Sequence, residues 1–464
     1  MQKYRLEHDL LGNKEVPLEA YYGVQTVRAM ENFVVSKIPI SNFPFLIQSL
    51  GYIKKATALA NMEYKILDPK VGNAIIEACD EIIAGKHLDQ FPVDAIQGGA
   101  GTSTNMNANE VIANRALELL GKEKGEYKVV HPNNHVNLSQ STNDVYPTSI
   151  RMAAAWKLDG LLAELVNFKE SLEAKSEEFH DVIKMGRTQL QDAIPMTLGQ
   201  EFAAWAVSVG EDIERLRITQ TLMYEINMGA TAIGTGLNAP RGYAEVVTRH
   251  LAQLTKLPLT SSRNLIQATH DTGSFIELSG VLKRISAKVS KICNDLRLLS
   301  SGPRAGINEI NLPPMQPGSS IMPGKVNPVI PEVVNQVAFD IIGNDLAITL
   351  AAEAGQLELN VMEPLIAYKL FSSINHLTNV LKILRERCIV GITANKERCR
   401  LMVQNSIGLV TALVPTLGYE RCSEIAKKAL KTDGSVYEIV LEEGHLSKED
   451  LDRILSPESM LQPF

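Results

Sequence analysis

The chain lacks long apolar runs, basic tracts and any dense set of cysteines, and each shortage closes off a class of function. No stretch reaches the apolar length of a membrane span. The opening MQKYRLEHDLLGNKE is charged throughout and has no signal-peptide core, so the expected location is cytoplasmic. Forty-six Lys and Arg stand against 53 Asp and Glu, for a net charge of -7. A face that binds nucleic acid needs clustered cations, and none is present. A small anionic substrate remains compatible, because a site can be locally positive in an acidic protein. The five cysteines, Cys79, Cys293, Cys388, Cys399 and Cys422, are odd in number, scattered and without a CxxC pair. They read as reduced core residues rather than a disulfide framework. Sustained strand alternation, short repeats and low-complexity tracts are also missing.

What the chain has is helical periodicity. Ile150, Ala154, Leu158, Leu161, Leu165, Phe168 and Leu172 recur at spacings of three and four, which predicts one helix from about Pro147 to Phe179. Phe202 to Met223 and Phe275 to Leu299 repeat the pattern, followed by about Pro331 to Ala354 and Ile366 to Cys388. Shorter helices are expected near 45–66, 69–85 and 106–120, and Ser447 to Asp450 reads as a capping box before a last small helix. The expected fold is all-α. It divides into an N-terminal mixed helical domain (1–140), a central five-helix bundle (141–393) and a small C-terminal helical domain (394–464). Helices this long bury only one stripe within a single bundle, so broad apolar faces would suit association with further copies.

Polar stretches interrupt this scaffold. Met315 to Pro328, MQPGSSIMPGKVNP, holds two Pro-Gly pairs around Ser319 and Ser320, then Lys325 and Asn327. It can be neither helix nor central strand. The pattern-free gap from Gly302 to Pro328 is longer than a connector needs, which suits a lid or binding loop. Gln97 to Asn109 places Thr102, Ser103 and Thr104 just before a helix, where hydroxyls and amides suit an anion as well as ordinary capping. It is no dinucleotide fingerprint, having no preceding strand and no third glycine. His131 to Asp144 ends in Ser141, Thr142 and Asn143; His131 and His135 lie among proline and asparagines rather than on a helical face, so no metal site is assigned. Lys184 to Gln191 reads as a turn between two long helices that carries Thr188 and Gln189, and Gly229 to Gly242 as a tight loop without assigned chemistry. The first long helix spans roughly 50 Å at 1.5 Å per residue. One chain therefore cannot join the Ser141 and Thr188 clusters, and a shared site needs neighbouring subunits.

GSSIMPGKVNP resembles the signature loop of the aspartase/fumarase superfamily, lyases that release fumarate from a succinyl unit. The likeness extends through AYYGVQT, GTSTNMNANEV, QSTND, GRTQLQDAIPMTLGQE and GTGLN. Gln189 after GRT, where fumarases usually carry His, and the GTST run around Thr102 resemble the aspartase branch. HPNN at 131–134 departs from the HPND of fumarases. The resemblance implies reversible deamination of L-aspartate to fumarate and ammonia through a doubly charged aci-carboxylate, with Ser319 as the base that takes the Cβ proton. It implies that Thr102, Ser141, Thr142, Ser320 and loop amides hold the β-carboxylate, with Met322 among the substrate-binding positions. Lys325, Asn327 and Thr188 hold the α-carboxylate, and Asn143 and Gln189 lie near the departing ammonium. It implies a homotetramer with a 20-helix core and sites shared between subunits. No cofactor is required, although Mg²⁺ activates some aspartases. Fumarate hydratase is the alternative enzyme, and a non-catalytic structural bundle the alternative of another kind; the complete Ser319, Lys325 and Asn327 loop argues against the latter.

Overall fold

The structure, a computed structural model, describes residues 3–456 and Ser459. A hairpin of β1 (Tyr4–Asp9) and β2 (Gly12–Pro17) is followed by α1 (Val24–Asn32), α2 (Pro44–Glu63), α3 (Pro69–Ile83) and α4 (Thr102–Leu119). Next come α5 (Thr142–Glu178), a hairpin of β3 (Ile183–Thr188) and β4 (Gln191–Thr197), α6 (Leu198–Gln220), α7 (Tyr243–Thr255), α8 (Leu265–His270) and α9 (Gly273–Leu299). Then follow α10 (Val329–Glu353), α11 (Glu363–Arg387), α12 (Lys396–Gln404), α13 (Val410–Leu417), α14 (Tyr419–Thr432), α15 (Val436–Glu442) and α16 (Lys448–Ile454). Two-residue strands at 225–226, 260–261, 310–311 and 393–394 complete the set. The fold is all-α, with paired strands as accessories. Among the described residues no helix is long and apolar enough to cross a membrane.

Two compact units emerge. One contains residues up to Leu162, Glu214–Arg284 and Phe339–Leu377; the other contains Ala163–Ile213, Ile285–Ala338 and the chain from Thr378. Each of the five longest helices, α5, α6, α9, α10 and α11, contributes residues to both.

In the first unit, α2 packs against α3, α4 and α7 around Ile47, Leu50, Ile53, Ile75, Ile112, Val247 and Leu251. Polar ties set the neighbours of the long helices there. Gln220 Nε2 donates to Asp159 Oδ1 (2.7 Å), Lys157 Nζ to Asn375 Oδ1 (2.7 Å), Asn344 Nδ2 to Ser373 Oγ (3.2 Å) and Ser279 Oγ to Asp345 Oδ1 (2.7 Å). These place α5 beside α6 and α11, and α10 beside α9 and α11.

In the second unit, Arg385 Nε donates to Glu164 Oε1 (2.7 Å), joining α11 to α5, and Asn335 Nδ2 donates to Ser290 Oγ (2.8 Å), joining α10 to α9. The C-terminal helices bury Val403, Leu413, Ile425, Val440 and Leu451 together with Met185 of β3. Ser447 Oγ accepts from the Asp450 N–H at 3.1 Å, the expected cap of α16.

Two sequence expectations change. Strands do occur, and Lys184–Gln191 belongs to a β-hairpin rather than a bare turn, with a bulge between Met185 and Arg187. Its tip lacks the usual Asn-Gly signal; Gln189 (φ 54°) and Leu190 (φ 62°) both take the left-handed conformation without being glycine. The other change is in helix starts: α4 begins at Thr102 rather than near 106, and α5 at Thr142 rather than near Pro147, which lies inside it.

The β3–β4 hairpin is anchored by charge. Glu309 is fully buried; its Oε1 accepts from Arg187 Nη1 at 2.7 Å, and Lys184 Nζ stands 3.0 Å from Oε2. Lys184 also pairs with Glu201. Removing one partner of a buried set leaves uncompensated charge. Glu309→Leu is expected to destabilise the protein by about 3 kcal/mol, read as a lower urea midpoint, and an unchanged midpoint contradicts this anchoring.

Candidate active site

The first unit holds two of the predicted clusters side by side. Gly99 (φ 87°), Ala100 (φ 56°) and Gly101 (φ 87°) turn the chain into α4, and a Cβ at Gly101 would lie 2.4 Å from the Tyr146 ring of α5. The starts of α4 and α5 are thereby pressed together. Thr102 is exposed on a cleft of about 530 Å³ also lined by Leu10, Leu11, Arg28, Phe33 and Gly99. Its hydroxyl donates to Gly99 O at 2.7 Å, so it must rotate before it can donate to a ligand.

At the start of α5, Ser141 Oγ accepts from the Asn143 N–H (3.2 Å), and Thr142 Oγ1 accepts from Asn105 Nδ2 (3.0 Å). An acceptor hydroxyl keeps its own proton for another partner, so Thr142 is set up to donate. Behind Asn105 lies Lys54, fully buried, whose Nζ donates to Asn105 Oδ1 (2.7 Å), Asn137 Oδ1 (3.0 Å) and Gln140 Oε1 (2.8 Å). Burial pulls the Lys54 ammonium down to about 7, while the charge of Asp144 holds it up. Burial likewise pushes the Asp144 carboxyl up to about 7, opposed by the N–H groups of Ser141, Thr231 and Gly229 and by Lys54. Lys54, Asn105 and Asp144 were not singled out by sequence reasoning. The one available signal was a lysine inside the apolar helix GYIKKATALANM, and Lys55 beside it made that signal ambiguous.

The second unit holds the other two clusters. Thr188 and Gln189 sit exposed at the tip of the β3–β4 hairpin. Two non-glycine residues hold the tip in a costly conformation. The loop from Met315 to Pro328 has no regular structure, and it is closed at its base: the Gly318 N–H donates to Lys325 O (2.7 Å), and Asn327 Nδ2 donates to Gly318 O (2.7 Å). A Cβ at Gly318 would lie 2.7 Å from Lys325 O and from Asn327 N, so only glycine fits. Ser319 is half-buried, and its Oγ accepts from the backbone N–H of Met322 (2.9 Å) and Ile321 (3.2 Å). Two fixed dipoles aimed at one hydroxyl oxygen favour negative charge on it. Ser320, Met322 and Lys325 are exposed, and Lys325 has no ion pair among the described residues. No hydrogen bond joins this loop to Thr188 or Gln189 among the described residues.

Other chemistries find less support. All five cysteines are free and buried, and burial pushes the Cys388 and Cys399 thiols up to about 12, far from nucleophilic thiolate. His131 Nδ1 accepts from the N–H groups of Asn133 and Asn134, and His135 Nδ1 from the N–H of His131, so both rings cap a local turn.

Comparisons with known proteins identify the family. A family model described as Lyase matches residues 12–343, and one described as Fumarase C C-terminus matches 409–462. An aspartate ammonia-lyase of Pseudomonas aeruginosa is 59% identical over 460 residues, covering 99% of this chain and 97% of the relative. One from Escherichia coli K12 is 54% identical, covering 99% and 96%. Among solved structures, a fumarate lyase:delta crystallin from Brucella melitensis, bound to cobalt, superposes with a TM-score of 0.97 at 52% identity over 99% of this chain and all of that one. A class II fumarase from Schistosoma mansoni gives 0.94 at 36% over 99% of both chains. Fold, signature loop and relatives converge: this chain belongs to the aspartase/fumarase superfamily of lyases.

Proposed function

We propose that this chain catalyses the reversible deamination of L-aspartate to fumarate and ammonia, with Ser319 as the general base. The observation that carries the reading is the pair of backbone N–H groups on Ser319 Oγ. A serine is a poor base unless its alkoxide is stabilised, and these donors supply that stabilisation without side-chain charge. Removing the Cβ proton leaves an aci-carboxylate with two negative charges, and each 1.4 kcal/mol gained on that charge is worth about tenfold in rate.

The remaining residues divide the substrate between them. Thr102, Ser141, Thr142, Ser320 and loop amides other than those on Ser319 receive the β-carboxylate, and the free proton of Thr142 is suited to it. Lys325, Asn327 and Thr188 receive the α-carboxylate; Asn327 spends one amide hydrogen on Gly318 O and keeps the other. Asn143 and Gln189 accept from the ammonium. No organic cofactor is needed, since loss of the Cβ proton gives the aci-carboxylate, whose collapse forms the C=C bond and breaks the Cα–N bond to release ammonia, with no redox change. Among the described residues there is no group of three or more His, Cys, Asp or Glu that could hold a metal ion.

The site is assembled between copies. Thr142 and Glu178 bound one helix of 37 residues, about 55 Å at 1.5 Å per residue, and the Thr188 hairpin follows its far end. On α10, Phe339, Ile342, Leu346 and Leu350 form a stripe at spacings of three and four that is 39–64% exposed, which suits burial against another copy. The assembly is a cytoplasmic homotetramer in which residues 141–393 build the core and 1–140 and 394–464 flank it.

Purified protein is expected to form fumarate and ammonia from L-aspartate and no fumarate from L-malate; the reverse preference makes it a fumarate hydratase, and activity on neither supports a structural protein. Ser319→Ala is expected to lower kcat by about 10³-fold with melting temperature unchanged, and near-normal turnover would remove Ser319 from the role of base.

A further inference from the structure

Asp144 and residues 227–236 form a knot around Asn143 in the first unit, and the mechanism above gives that knot no role. Asp144 is fully buried, and both of its oxygens are engaged. Oδ1 accepts from the Ser141 N–H (3.0 Å), and Oδ2 from the N–H groups of Thr231 (2.8 Å) and Gly229 (3.2 Å). One carboxylate thus ties the segment carrying Ser141, Thr142 and Asn143 to the glycine-rich loop.

That loop is rigid. The Gly234 and Gly236 N–H groups both donate to Ala230 O, at 3.0 and 3.1 Å. A Cβ on Gly234 would lie 2.3 Å from Ile266 Cα, and one on Gly229 2.7 Å from Ala244 Cα. Thr231 is β-branched yet sits at φ 57°, a conformation that persists only where the surroundings enforce it.

The rigid loop presents Ala232 O, and Asn143 Nδ2 donates to it at 2.7 Å. Buried Asn227 adds a second tie, its Nδ2 donating to the backbone carbonyl of Asn143 at 3.0 Å. A carbonyl oxygen can only accept, so this contact fixes which way the Asn143 amide faces: nitrogen on the loop, Oδ1 away from it. The group left to meet a ligand is an acceptor. An ammonium has donors only and needs such a group, whereas an outward amide nitrogen would repel it and suit a carboxylate.

We propose that the 227–236 loop is a specificity element for the amino leaving group, holding Asn143 Nδ2 on Ala232 O so that Oδ1 is a fixed acceptor for the substrate ammonium, with Asp144 and Asn227 as positioning residues. The proposal rests on the reading of Asn143 given above. It predicts a split between ligands that carry the amino group and those that do not. Asp144→Asn and Asn227→Ala are each expected to raise the KM for L-aspartate about tenfold, the scale of one hydrogen bond to a charged group. The Ki of succinate, with the same two carboxylates and no amino group, should stay within twofold. Parallel movement of both constants, or movement of neither, overturns the proposal. Where Asp144→Asn does not fold, Asn227→Ala, which removes only side-chain bonds, decides. The wild-type enzyme run alongside separates the two claims: no turnover of L-aspartate by it contradicts the function, while turnover with parallel or unchanged constants in the variants contradicts the loop's role alone.

Discussion

A helix cannot bring its own two ends together, and α5 puts 37 residues between Thr142 and Glu178. Hydroxyls and amides gather at its start, while Thr188 and Gln189 stand on a hairpin beyond its end. Either cluster alone offers a few polar groups to a substrate with two carboxylates and an ammonium, which is too few to bind every charge. The proposed site follows from this constraint: in that proposal the long helices act as spacers that let each copy donate one part of several sites. The exposed stripe from Phe339 to Leu350 gives such copies a surface to bury.

Within each part the same device recurs, namely a fixed polar group, from backbone or a held side chain, that sets the hydrogen-bonding state of a candidate site residue. Two N–H groups face Ser319 Oγ, so that oxygen is prepared for negative charge before any proton moves. Ala232 O faces Asn143 Nδ2, so that amide is prepared as an acceptor. Asn105, itself held by Lys54, donates to Thr142 and leaves the threonine as a donor. Preorganisation of this kind avoids reorienting dipoles at the moment of reaction, which in water accounts for much of the barrier.

The sequence disclosed these features unevenly, for physical reasons. The long helices were legible because Ile150, Leu158, Leu161, Leu165, Phe168 and Leu172 are all fully buried on one stripe. The 315–328 loop was legible because its Pro-Gly pairs forbid regular structure. The start of α4 was not, because Asn105, Asn107, Asn109 and Asn114 are buried polar residues and blur any apolar stripe. The β3–β4 hairpin was missed because Gln189-Leu190 is an improbable turn and Pro195 interrupts the second strand. The facing of Asn143 was beyond sequence reasoning, since its partner is a main-chain oxygen 89 positions away.

Mixed assembly tests the account most directly. Chains carrying Thr142→Ala and chains carrying Thr188→Ala are each expected to be inactive or nearly so, and when they are unfolded together, reassembled and shown to co-assemble, some sites would receive intact Thr142 from one chain and intact Thr188 from another. The account predicts that aspartate deamination returns in the verified mixed oligomers; mixed oligomers as inactive as their parents would contradict a site shared between copies.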